Sequence, residues 1–174
     1  HPFSDVRGRK ALNHSLHRAH LIKYEARGNG RILATCTMPG EFGHNAELRP
    51  YSTDEKLARQ LFEQAFAGQK KCINALVKSQ ARRIALFLKA CLARAGVQMK
   101  MTLASEADMQ VFKSKAEWDI YISSCPNPFC HSSFVPSMAV FSHSPFSLCR
   151  DPIFDNIYTE AISKINFVYF IILH

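Results

Sequence analysis

Apolar residues recur at near-helical spacing over residues 5–26, where Asp5 stands as N-cap and Ala11, Leu12, Leu16, Ala19 and Ile22 share a side. Gly28-Asn29-Gly30 ends that pattern, and Pro39, Gly40, Gly43 and Pro50 mark residues 31–53 as a loop. Asp54 opens a second predicted helix, with Leu57, Leu61, Ala65 and Phe66 on one side and a stop near Gly68.

The pattern then changes period. Ile73-Asn74-Ala75-Leu76-Val77 is a short apolar run, which predicts a strand. Ser79 is a suitable N-cap for a helix carrying Ile84, Leu88, Cys91, Leu92 and Ala95 on one stripe, with Gly96 at the C′ position. Val97 to Leu103 alternates and predicts a strand with one wetter face. Ser105 with Asp108 resembles a capping box and opens a helix that carries Met109 and Phe112. Trp118 to Ile122 is a third strand, and Pro152 to Ser163 a closing helix.

Strand–helix–strand–helix–strand with short connections implies an α/β fold with parallel strands and right-handed crossovers. Open sheets of this kind bind ligands at the carboxyl ends of their strands. Lys78 to Arg83, Ala104 to Glu106 and Ser123 to Ser133 fall at that edge. The helix starting at Ser79 turns its free N–H groups toward it, and Arg82 and Arg83 add charge. Residues 123–134 combine small hydroxyls, prolines, Phe129, Phe134 and His131, the composition of a binding loop.

Composition narrows the classes. The chain has 174 residues, 47% of them hydrophobic and 21% charged, as expected of a packed globular domain rather than a disordered chain or coiled coil. A formal charge of +8 is spread along the chain without a run of five basic residues, and aromatics do not interleave with it, so nucleic-acid binding has no specific support. The six cysteines form no C-x-x-C pair, which argues against a zinc ribbon or thioredoxin-like motif while allowing one or two bridges. The chain opens His1-Pro2-Phe3, with neither Met nor an apolar leader, and reads as a fragment or processed product. Ile165 to Leu173 is apolar but shorter than the roughly 20 residues of a membrane helix.

Motifs of catalysis are missing: there is no P-loop, no G-x-S-x-G and no H-E-x-x-H. His14, His17 and His20 are spaced by three, so the outer pair lies roughly 240° apart round a helix and all three cannot share one metal. His131 and His143 flank the Ser/Pro-rich loop with Cys130 beside one of them, and their spacing matches no metal template.

Several segments, taken in order, resemble the family 5 extracellular solute-binding proteins, the peptide and nickel receptors of ABC importers. They are Pro2 to Asn13, followed by His17-Arg18 where Asp-Arg is usual; Met38-Pro39-Gly40; Tyr51 to Ala58; Leu92 to Val97; Trp118-Asp119-Ile120; and Asp151 to Asp155. Gly8 stands where a β-branched residue is usual. The resemblance implies a type II periplasmic-binding-protein-like lobe, with a parallel or mixed sheet flanked by helices. It covers residues 1–164 as the second lobe and leaves 165–174 as an apolar tail outside the family pattern.

The same resemblance implies a non-enzymatic receptor without cofactor or metal, closing by a hinge on a small solute. An oligopeptide is the first choice of ligand and a nickel chelate the second. The importer's permease would be its partner, and the lobe would bind no nucleic acid. Its location would be periplasmic or extracellular, and any membrane contact would run through an anchor or the permease. The ligand set it implies is Ser79, Ser124, Asn127, Phe129 and His131. Asn127 falls where peptide-binding members carry the Asp that pairs with the peptide's amino terminus, which trades a charge-assisted bond for a neutral one roughly half as strong. Ser124 falls where an aromatic is common, Cys130-His131 replaces an acidic-Pro pair, and nickel-binding members use a His near His131. Cys125 matches a cysteine that some members bridge to one outside the span of this chain. The alternatives are the sensor half of a transcriptional regulator and a decayed receptor fragment that binds nothing.

Overall fold

The computed structural model describes residues 2–41, 44–105, 108, 117–123, 137, 140–144, 147 and 150–172, and of residues 165–172 the backbone alone. The chain divides into two units: His1–Ala34 with Arg49–Ser124, and Thr35–Leu48 with Cys125–His174.

The first unit opens with α1 (Val6–Ser15) and α2 (Arg18–Tyr24), followed by α3 (Glu55–Phe66), β1 (Cys72–Lys78), a 3-10 turn at Ser79–Ala81, α4 (Arg82–Arg94), β2 (Gln98–Ala104) and β3 (Ile120–Ile122). Asp5 and Asp54 cap α1 and α3, accepting from the Arg7 and Leu57 N–H groups. Ala67 and Gly68 turn left-handed after α3, and Gly96 does so after α4.

The single helix expected over 5–26 is two. Leu16 takes an extended conformation, φ −80° and ψ 118°, because residues 51–55 supply the hydrogen bonds a continued helix would have made. Asp54 N–H donates to the His14 carbonyl at 2.9 Å, and the Thr53 hydroxyl donates to the Leu16 carbonyl at 2.7 Å. Arg18 donates to the Asn13 and Tyr51 carbonyls, at 3.0 and 3.2 Å. The apolar spacing runs straight through this break, so periodicity is blind to it.

All three described strands are parallel, in the order β2-β1-β3. Ile73 to Val77 pair with Met99 to Leu103 on one side, and Ala75 to Val77 with Ile120 to Ile122 on the other. Ile73, Ala75 and Val77 face a core built with Ala11, Ala58, Phe62, Ala85 and Leu92. Leu76 points the other way and packs with Ala104, Trp118 and Tyr121. A central strand covered on both faces has to be apolar throughout, which is why β1 reads as a run and not as an alternation. Cys72 and Cys91 are free thiols here, as is Cys36 in the second unit; Cys125, Cys130 and Cys149 lie outside the described residues.

Gly8 is buried on α1, and a Cβ there would stand 2.0 Å from the Pro2 carbonyl oxygen. The departure from the family pattern at this position thus goes with an N-terminal turn folded tightly over the helix.

In the second unit, Glu41 is buried and its carboxylate accepts the Met38 N–H at 2.8 Å, closing the Met38-Pro39-Gly40 turn. Helix α5 (Pro152–Ile172) starts under Asp151, which accepts from the Ile153 and Phe154 N–H groups. It runs on past Ser163, where the sequence predicts its end, because nothing between Ser163 and Ile172 breaks a helix. Among the described residues no helix is long and apolar enough to cross a membrane.

Candidate functional site

The site grows out of the strand order. The chain leaves β1 through α4 to reach β2 on one side, and from β2 it crosses to β3 on the other. Connections that depart in opposite directions make the carboxyl ends of β1 and β3 the switch point of this strand order, the place at which open α/β sheets bind ligands. One residue beyond the Val77–Ile122 rung come Lys78 and Ser123. Ser79 follows at the centre of this edge, with Ala104 and Ser105 on the β2 side.

Ser79 does not cap the helix as its position suggests. Its exposed hydroxyl donates to the Ala104 carbonyl at 2.9 Å, tying the ends of β1 and β2 together. With its proton committed there, Ser79 presents oxygen lone pairs to a visitor and is an acceptor. The chain turns through a 3-10 segment, and neither Lys78 nor Ala81 supplies a side-chain cap. Arg83 gives its Nε to Glu25 at 2.9 Å, which shares its charge with the end of α2 and corrects the expectation that both arginines serve the edge; Arg82 is exposed. On the β2 side, the Ser105 hydroxyl accepts the Asp108 N–H at 3.3 Å, one of the two bonds of the expected capping box, and donates to the Asp108 carboxylate at 2.5 Å.

Of the five residues expected to meet a ligand, Ser79 stands at the switch point. Ser124, Asn127, Phe129 and His131 lie outside the described residues, as does the helix expected to carry Met109 and Phe112. Pattern reading misses Asp119. Its N–H donates to the Asn74 carbonyl at 2.9 Å while its carboxylate accepts the Asn74 N–H at 2.7 Å. The available signal was an acid inside an apolar strand, where Asp is depleted.

A second polar cluster lies at the far end of α4. Glu55 Oε1 receives His17 Nε2 at 2.6 Å and Arg94 Nε at 2.7 Å, joining the starts of α2 and α3 to the end of α4. The bond from His17, with the Arg94 charge behind it, holds the Glu55 carboxyl below its usual range. The His17 and His20 rings stack at 5.4 Å, and the His14 and Tyr51 rings meet nearly at right angles. Among the described residues no three His, Cys, Asp or Glu side chains are grouped to hold a metal ion.

No family model matches the chain, and no curated protein matches it. Solved structures do. Over 91% of its length it superposes on 33% of the ABC transporter-associated periplasmic binding protein DppA from Helicobacter pylori, in complex with peptide STSA, with TM-score 0.72 and 20% identity. It covers 36% of the oligopeptide-binding protein AppA from Bacillus subtilis, in complex with a nonapeptide, with TM-score 0.71 and 15% identity. It covers 39% of NikA from Brucella suis, in complex with Fe(III)-EDTA, with TM-score 0.69 and 19% identity. The chain therefore spans about a third of the length of these proteins. What such identities establish is the fold, a lobe of the type II periplasmic-binding-protein kind, the fold that the sequence resemblance implies.

Proposed function

We propose that this chain is the substrate-capture lobe of an ABC-importer solute-binding protein, non-catalytic and acting by closure on a small solute. The observation that carries the reading is the β1/β3 switch point with Ser79 at its centre, in a lobe shaped like those of DppA, AppA and NikA. Two of those structures hold peptides and one holds an iron chelate. We assign peptides as the first ligand class and nickel chelates as the second. Ser79, Ser124, Asn127, Phe129 and His131 are the proposed contacts, the importer's permease the proposed partner, and the periplasm or cell exterior the proposed location.

A single lobe offers half of a cleft. A solute held micromolar by two lobes has about −8.2 kcal/mol of binding energy, and half of that is about −4.1, or millimolar. Calorimetry of this chain with the tetrapeptide Ser-Thr-Ser-Ala should therefore give a dissociation constant of about 1 mM. A nickel–EDTA titration under the same conditions ranks the second ligand class. The absence of heat with both, at concentrations well above that value, would overturn the reading.

A further inference from the structure

We infer that Asp119 is a positioning residue, a register lock that fixes where the carboxyl end of β3 stands against the carboxyl end of β1. Strand β3 has three residues, and its pairing to β1 covers only Ala75, Leu76 and Val77. So short a ladder contributes few backbone bonds to fixing the register. A slip by two residues keeps the alternation of faces but moves the end of the strand by about 6.6 Å, and it would bring Asp119 or Ser123 to the place where Tyr121 packs with Leu76 and Ala104. Tyr121 packing opposes that slip, and a polar contact outside the ladder adds to it.

Asp119 does so by treating Asn74 as its partner twice. The Asp119 N–H donates to the Asn74 carbonyl at 2.9 Å, and the Asn74 N–H donates to the Asp119 carboxylate at 2.7 Å. The carboxylate supplies the acceptor that a longer strand would supply from its backbone, and a charged acceptor makes the stronger bond. Both backbone groups of Asn74 are thereby held by one residue, directly below the Ala75–Ile120 rung. The neighbouring Trp118 and Tyr121 pack on Leu76 and Ala104, which gives the lock a fixed seat. Its consequence is at the other end, where Ser123 and Lys78 each follow the Val77–Ile122 rung. The functional meaning of that placement rests on the proposed receptor reading, whereas the lock itself does not.

The test is amide hydrogen exchange and cross-strand NOE measurement on the full chain, comparing wild type, Asp119→Ala and Asp119→Asn. In Asp119→Ala the Asn74 amide exchanges about tenfold faster and the Val77–Ile122 NOEs weaken, while Phe62 in α3 keeps its protection. Asp119→Asn retains an acceptor oxygen in the same place and restores the NOEs, with Asn74 exchange raised about threefold or less. Should Asp119→Ala fail to fold, Asp119→Asn alone decides, since its effect must be confined to Asn74. The inference is overturned if Asn74 protection is unchanged in the alanine variant, if protection falls equally at Phe62, or if asparagine does no better than alanine. Neither readout needs a ligand, so a chain that fails to bind peptide still tests the lock.

Discussion

Helix α3 begins under Asp54, whose carboxylate accepts the Leu57 N–H at 2.9 Å, whereas α4 begins through a 3-10 turn with no side-chain cap at Lys78 or Ala81. Both helices belong to the same unit and bury residues in the same core. They differ in what their first turns meet. The start of α3 is built into the joint of α1 and α2, where Asp54 N–H also donates to His14 and Glu55 holds His17. The start of α4 lies at the carboxyl edge of the sheet, and the Ser79 hydroxyl is given to the strand beside it. The helix start within the joint is closed by its N-cap side chain, whereas the one beside the switch point has an N-cap residue that gives no side-chain bond.

Substitutions can break this contrast or sharpen it, measured as urea unfolding free energies. The largest effect belongs to the packing that α3 provides. Phe62 is fully buried, so Phe62→Ala should cost about 3–5 kcal/mol. Gly8→Val sets a Cβ 2.0 Å from the Pro2 oxygen and should cost about 1–3 kcal/mol, less if the N-terminal turn can lift away. Asp54→Ala removes the α3 cap at a cost of about 1 kcal/mol. Ser79→Ala should cost about 0.5 kcal/mol, because it removes one strand tie and no cap. If Ser79→Ala costs as much as Asp54→Ala, the two starts are built alike after all.

The smallest effect concerns pH. Glu55 has its folded-state pKa depressed, so its contribution is complete above the ordinary value of 4.5 and is lost as pH falls through the depressed value. Glu55→Gln should therefore flatten the acid limb of the stability curve below pH 4.5, as read from unfolding midpoints at successive pH values. An acid limb as steep as that of wild type would remove Glu55 from the account.

How far the residues spoke for themselves varied with the range of the interactions. β1, α4, Gly96 and β2 were legible because each depends on local signals: an apolar run, a stripe, a left-handed glycine, an alternation. The break at Leu16 was not, because its cause is Thr53 and Asp54, nearly forty residues along the chain. Ser79 was placed correctly and given the wrong job, since a serine before a helix looks the same whether its hydroxyl serves the helix or a neighbouring strand. Asp119 was read as one more strand residue because its partner, Asn74, is distant in sequence. At the site itself the strand ends were legible from topology, and Phe129 and His131 from the composition of their loop, while Ser124 and Asn127 were singled out by family resemblance.

The central claim is that the edge between β1 and β3 is the face that meets a solute. Amide chemical shifts of the full chain, followed during titration with Ser-Thr-Ser-Ala, test it most directly. The account predicts saturable shifts clustered at Lys78, Ser79, Ser105 and Ser123, with the α3 amides unmoved. Saturable shifts centred on α3 or on the His17–Glu55–Arg94 joint, with the strand ends silent, would contradict it.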